Sequence, residues 1–289
     1  MQPQSLIKFA IALCAFGLAH CISDERAGGT GLGNPTEVGA TFSMRTTHTK
    51  KAAKTSSVQS SQTDSSVLVT DSAGMALTIR EVLANVGKVG IHLPASITCG
   101  DLTSKDCQQN EVEIMGPFIM NLMTGRSAPA IGHFKIPEGK YTNVDVQLID
   151  LSAQEAPVDS NDGLKGNSLV IKGSFAYAGK SDRTFSIYLK FNEDIAFSDN
   201  AGINVAEPKI ANKLYNVVLL LQVEKWFRNA NLQSCLDEGS LKLDASGNLQ
   251  IQNEEPCRQI PQLIRDNIKS SGDLDESPVD SASVDQPQP

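Results

Sequence analysis

The chain has little of what marks an enzyme or a nucleic-acid binder. Of 289 residues only four are histidine and one is tryptophan, and aromatics make up just 5%. No Gly-x-Ser-x-Gly turn occurs, so a serine nucleophile on a strand-to-helix elbow has no support. No two histidines stand at the short spacing that brings two imidazoles to one metal ion. Positive charge is scarce as well: 25 Lys and Arg against 33 Asp and Glu leave a net charge of −8. Without a basic stripe to neutralise phosphates, nucleic acid is a poor partner. Beyond the N-terminal region no apolar run approaches the ~18 residues of a membrane helix. A 40% hydrophobic, 20% charged composition is otherwise ordinary for a chain that buries a core.

What is present begins at the N-terminus. Lys8 precedes a stretch, Phe9 to Ala19, that is apolar throughout. Eleven helical residues reach only ~16 Å, short of a ~30 Å bilayer core. A charged start, a short apolar core and small residues near its end predict an export signal over residues 1–20. Leu18-Ala19-His20-Cys21 resembles the lipobox of bacterial lipoproteins, in which the new N-terminal thiol takes a diacylglyceryl group. His20 stands where Gly, Ala or Ser is usual. The resemblance implies lipid attachment at Cys21 and anchoring in a Gram-negative envelope. Ile22 and Ser23, in place of an Asp after the cysteine, favour the outer membrane. A protein cut elsewhere would instead be secreted.

Six cysteines divide accordingly. Cys14 lies within the signal and Cys21 is the lipid candidate, leaving Cys99, Cys107, Cys235 and Cys257. An even number in an oxidising compartment reads as disulfides. Three connectivities are open. The local one, Cys99 with Cys107 and Cys235 with Cys257, closes the shortest loops. Chain entropy gives about 2.5 kcal/mol for the first loop and about 3.4 kcal/mol for the second. A four-thiol zinc site competes, but these gaps are far wider than its paired C-x2–4-C spacing.

Residues 21–38 are rich in Gly, Pro and charge and predict a flexible tether. A β domain is predicted over 39–269, interrupted at 47–66 by a polar, low-complexity loop or linker. Its first strand runs from Ala40 to Thr46, with Phe42 and Met44 on one face. Leu77 and Ile79 alternate with polar neighbours, as do Val89, Ile91 and Leu93. The clearest period of two is Val144, Val146 and Leu148 against Asn143, Asp145 and Gln147, which marks one buried and one wet face. A hairpin follows over Leu169–Tyr177 and Phe185–Leu189. Tyr215–Val223 is a continuous apolar run, read as a central strand. A second hairpin brackets Asp244 to Gly247, setting Leu241 and Leu243 against Leu249 and Ile251. Between Arg258 and Ser270, Ile260, Leu263, Ile264 and Ile268 lie at helical spacing, with Pro261 in the first turn and Gly272 past the end. Residues 270–289, acidic and rich in Pro and Ser, predict a disordered tail. Many short strands and one late helix predict a mainly β fold, an antiparallel β-sandwich with one C-terminal helix.

Three stretches carry a further resemblance. They are Thr70-Asp71 to Ile79 running into Lys88–His92, Gly116–Gly125 followed by Ile136–Asp145, and Leu169–Phe175 with its return strand. Together they are similar to the DUF4382-type domain of exported bacterial lipoproteins, in which an L-x-P-x-G-x-Y turn leads into a strand. Here Pro137, Gly139 and Tyr141 keep the core of that motif, and Phe134-Lys135-Ile136 replaces its leading Leu. The resemblance covers roughly residues 67–225 and implies a β-sandwich in the style of transthyretin-like or carbohydrate-binding modules. It brings no catalytic set.

Candidate chemistry is thin. His92 and His133 lie in or beside strands and His48 in the polar linker, so structural or surface roles suit all three. Glu193, Asp194 and Asp199 place carboxylates close together after a strand, the oxygen chemistry calcium takes, though not at EF-hand spacing. Solvated strand-end acids fit the same pattern. Asp244 to Asn248 reads as turn chemistry. Trp226-Phe227 suits either a sugar-stacking platform or a core anchor. The sequence thus predicts a lipid-anchored binding or structural module, needing no cofactor. Its partners would be the membrane, a cell-surface polysaccharide or another envelope protein. An envelope hydrolase or a calcium-dependent carbohydrate binder is the alternative.

Overall fold

A computed structural model describes residues 35–47, 66–103, 106–150, 163–191, 193–206, 213–252, 257 and 259–280. The signal at 1–20, Cys21, the tether as far as residue 34, His48 and the linker to residue 65 lie outside the described residues, as do 281–289.

Among the described residues, fourteen strands, three α-helices and one 3-10 turn (Cys99–Asp101) follow one another. They are β1 (Glu37–Thr47), β2 (Val67–Thr70), β3 (Ala76–His92), β4 (Cys107–Gln108), β5 (Glu111–Asn121), β6 (Arg126–Ala128) and β7 (Phe134–Pro137). After them come β8 (Gly139–Leu148), β9 (Leu169–Tyr177), β10 (Lys180–Leu189), β11 (Glu193–Val205) and β12 (Lys213–Gln222). The chain closes with α1 (Val223–Trp226), α2 (Leu232–Asp237), β13 (Leu249–Ile251), α3 (Gln259–Lys269) and β14 (Gly272–Asp280). The fold is mainly β and sandwich-like. One sheet has the order β14-β12-β1-β7; the other is built around β3.

β3 organises the second sheet. Along one edge it pairs first with β9 and then with β8; along the other, first with β2 and then with β5. Its register shifts between Ile79 and Glu81 and again between Val86 and Lys88. Each bulge adds a residue and exchanges the two faces. Burial follows that exchange: Leu77 and Ile79 are inside, then Val82, Ala84 and Val86, then Val89 and Ile91. Two alternating segments in the sequence are therefore one strand of 17 residues.

The Pro137-x-Gly139-x-Tyr141 motif makes the corner between the sheets. β7 pairs with β1, and after Glu138 alone the chain enters β8 of the other sheet. The buried Tyr141 hydroxyl donates to the Pro137 carbonyl at 2.6 Å and so ties the corner across four residues. A side chain at Gly139 would place its Cβ 2.5 Å from Pro94 Cγ. Inside the sandwich, Phe42, Met44, Val217, Leu219 and Leu221 share one apolar cluster with Ile91, Val144, Val146 and Phe185. Ile260, Ile264 and Ile268 of α3 join it, as do Trp226 and Phe227.

Several sequence expectations are corrected. The sandwich is not purely antiparallel: β1 runs parallel to β12, and β13 parallel to β10. Sequence periodicity cannot reveal strand direction, because side chains alternate identically either way. The acidic tail is not disordered from residue 270, since Gly272–Asp280 forms β14 along the edge of β12 and buries Leu274. The helix between 258 and 270 is α3, but α1 and α2 accompany it, each too short for a helical period to register. The hairpin around Asp244–Gly247 shrinks to one bridge, Leu243 to Leu249, because its return arm leaves to pair with β10.

Candidate functional site

The densest polar constellation lies on the outer face of β5, β3 and β8. Lys88, Gly90 and His92 point outward from β3, while Val89 and Ile91 between them point into the core. Register sets Glu111 opposite His92, and sets both Glu113 and Asp145 opposite Gly90. Cross-strand neighbours on one face stand about 5 Å apart at Cβ, within reach of long charged side chains.

The contacts form a ladder. Lys88 Nζ donates to Glu113 Oε1 at 3.2 Å and lies 3.9 Å from Glu111 Oε2. The other oxygen of Glu111, Oε1, is 3.4 Å from His92 Nε2, and Asp145 Oδ2 approaches the same nitrogen at 2.8 Å. The hydrogen bond to Glu113 raises the Lys88 pKa above its ordinary value, with Glu113, Glu111 and Asp194 adding through their charge and burial opposing. Two carboxylates thus converge on one imidazole nitrogen, which carries at most one hydrogen. Gly90 makes the convergence possible: a Cβ there would run into Glu111 Oε2.

A second, shallower feature sits at the tip of the β9–β10 hairpin. A cavity of about 500 Å³ is lined there by Tyr177, Lys180, Gln233 and Asp237 among others. The Tyr177 hydroxyl donates to Asp237 Oδ1 at 2.8 Å, and that bond raises the phenol's pKa. The bond closes the hairpin onto α2 and occupies the Tyr177 hydroxyl and one Asp237 carboxylate oxygen.

The residues singled out in the sequence are scattered. Glu193 is ion-paired with Lys269. Asp194 is its strand neighbour, so it points to the opposite face, toward Lys88. Asp199 accepts the amide of Ala201 in a local turn. The three do not converge. Asp244 accepts the amides of Ser246 and Asn248, and the latter bond is the main cause of its lowered pKa. Trp226 and Phe227 are fully buried, with Trp226 Nε1 donating to Ser271 Oγ at 2.9 Å, so they offer no stacking surface. His133 is exposed. Cys99 is bonded to Cys107 and Cys235 to Cys257.

Sequence reading missed the grouping of His92, Glu111 and Asp145 because it depends on strand pairing. The usable signal was weaker: three wet-face segments, Lys88–His92, Glu111–Glu113 and Asp145–Gln147, each carrying at least one charged residue on its solvent side. Among the described residues no helix is long and apolar enough to cross a membrane. Compared with known proteins, the chain matches no family model, no curated protein and no solved structure.

Proposed function

We propose that this protein is an exported β-sandwich-like module, held to a bacterial envelope by lipid on Cys21, that works by binding or scaffolding rather than by catalysis. The observation that carries this reading is the pair of local disulfides in the folded domain. Cysteines that stay oxidised belong to an extracytoplasmic compartment. Both bonds draw on residues beyond the signal and leave Cys21 free for acylation. The resemblance of residues 67–225 to a domain of exported lipoproteins supports the same address. The outer membrane is the favoured one, with a cell-surface polysaccharide or a second envelope protein as partner. The calcium-dependent variant loses its support, because Glu193, Asp194 and Asp199 make separate contacts.

The test is metabolic labelling with a clickable fatty-acid analogue in a Gram-negative host, comparing wild type with Cys21→Ser. Wild type should carry the label and fractionate with membranes. Cys21→Ser should lose the label and appear in the soluble fraction. Equal labelling of the two proteins would overturn the reading.

A further inference from the structure

The grouping of His92, Glu111 and Asp145 is the only set of three or more potential metal ligands that comes together among the described residues. We propose that it is a binding site for a divalent transition-metal ion of the zinc class. The inference goes beyond the envelope reading and does not depend on lipidation.

Four observations carry it. The first is the donor geometry. One ring nitrogen and two carboxylate oxygens, each from a different strand, lie within 4.8 Å of one another. Zinc bound at about 2.1 Å to N and O ligands holds neighbouring donors about 3.4 Å apart. The distance from His92 Nε2 to Glu111 Oε1 is already 3.4 Å. The distance to Asp145 Oδ2 is 2.8 Å and needs to open by about 0.6 Å, which a carboxylate rotation supplies.

The second is that the nitrogen is over-subscribed. Two acids face an atom that can offer one hydrogen to one of them. A cation between the three donors satisfies both carboxylates and the nitrogen's lone pair together.

The third is charge. Glu111, Glu113, Asp145 and Asp194 stand on this face against Lys88 and the imidazole. Lys88 is engaged chiefly by Glu113, which leaves Glu111 Oε1 and Asp145 facing His92. The fourth is Gly90, at the centre of the face. Its missing Cβ leaves the space into which the Glu111 carboxylate folds. A Cβ there would force that carboxylate to shift from its present place.

The ligand set also separates metals. Calcium and magnesium prefer oxygen alone, whereas one imidazole with two carboxylates suits zinc and its first-row neighbours. The His92 side chain is 37% exposed, so water can complete the coordination and the ion can enter directly.

The experiment uses the full chain, purified with its disulfides intact and stripped by chelator, then titrated with zinc chloride by calorimetry. Wild type should bind one equivalent saturably. His92→Gln, Asp145→Asn and Glu111→Gln should each weaken binding at least about tenfold, and His133→Gln should leave it unchanged. In parallel, zinc should raise the melting temperature of wild type but not that of His92→Gln. Circular dichroism checks that each variant is folded, and any one of the three folded variants suffices for the comparison. No saturable binding by wild type, unchanged affinity in a folded site variant, or loss of binding in His133→Gln would each overturn the proposal. Failure of fatty-acid labelling at Cys21 would leave it standing, so the two readings are tested separately.

Discussion

Replacing Tyr141 by Phe removes one oxygen atom from the corner where the chain passes between the two sheets. The ring stays in place; the hydroxyl that donates to the Pro137 carbonyl at 2.6 Å does not. Pro137 is itself buried, so its carbonyl is left without that partner. A lost bond together with an orphaned buried acceptor costs about 2 kcal/mol. For a domain of this size each kcal/mol moves the melting temperature by about 2–4 °C, so Tyr141→Phe should melt about 4–8 °C lower. Alkaline pH gives an independent readout. Burial holds the Tyr141 phenol well above its ordinary pKa of 10. With the folded pKa above the unfolded one, the contribution is fully present below pH 10. It falls as the pH rises further, because only the unfolded chain then releases the proton. The slope is about 1.4 kcal/mol per pH unit for a single group. Urea unfolding from pH 9 to 11.5 should therefore show the wild-type advantage over Tyr141→Phe shrinking above pH 10. Lysines and the remaining tyrosines cancel in that difference. A loss below about 0.5 kcal/mol at neutral pH, or stability curves that run parallel through the alkaline range, would refute the assignment of Tyr141 as the fastener of the corner.

Two further outcomes follow from the same structure. Removing the Cys235–Cys257 bond with paired Ser substitutions should cost about 3.4 kcal/mol, against about 2.5 kcal/mol for Cys99–Cys107, from the lengths of the loops closed; urea midpoints of the two double variants should fall in that order. Asp71 is buried and accepts the amides of Ala73, Met75 and Gln233, holding the β2–β3 turn to the start of α2. Asp71→Ala should cost about 3 kcal/mol at neutral pH, with earlier proteolysis around α2; a change under 1 kcal/mol would show that the carboxylate is not what joins them.

Legibility in the sequence tracked the range of the interactions involved. Val144, Val146 and Leu148 announced β8 because an uninterrupted strand keeps one parity. β3 did not announce its length, because the bulges near Arg80 and Gly87 invert parity twice and leave what reads as unrelated pieces. The Pro137-Glu138-Gly139 turn was legible, being local chemistry. Its fastening by Tyr141 was visible only as a motif until the hydroxyl was placed. β14 was invisible for the opposite reason: Leu274, the one buried residue among its described side chains, sits on an acidic background that gives no period, and only the edge of β12 makes a strand of it. His92 was read alone, as a structural or surface group, Asp145 only as part of a wet strand face, and Glu111 was not singled out. They span 53 residues of sequence, and no spacing rule connects residues joined through strand register.

Tyr215 has Ala40 as its partner on one side and Pro278 on the other. The first strand of the sheet therefore begins, and the last one ends, two strand spacings apart, about 10 Å. Glu37 and Asp280 lie at the same side of the sheet, and Thr47, Gln222 and Gly272 mark its opposite margin. A bridge of about four residues from Asp280 to Glu37 would close the chain into a ring. The protein could then be opened at a new surface loop without disturbing a single rung of the sheet. Cargo fused after Asp280 would emerge beside whatever precedes Glu37.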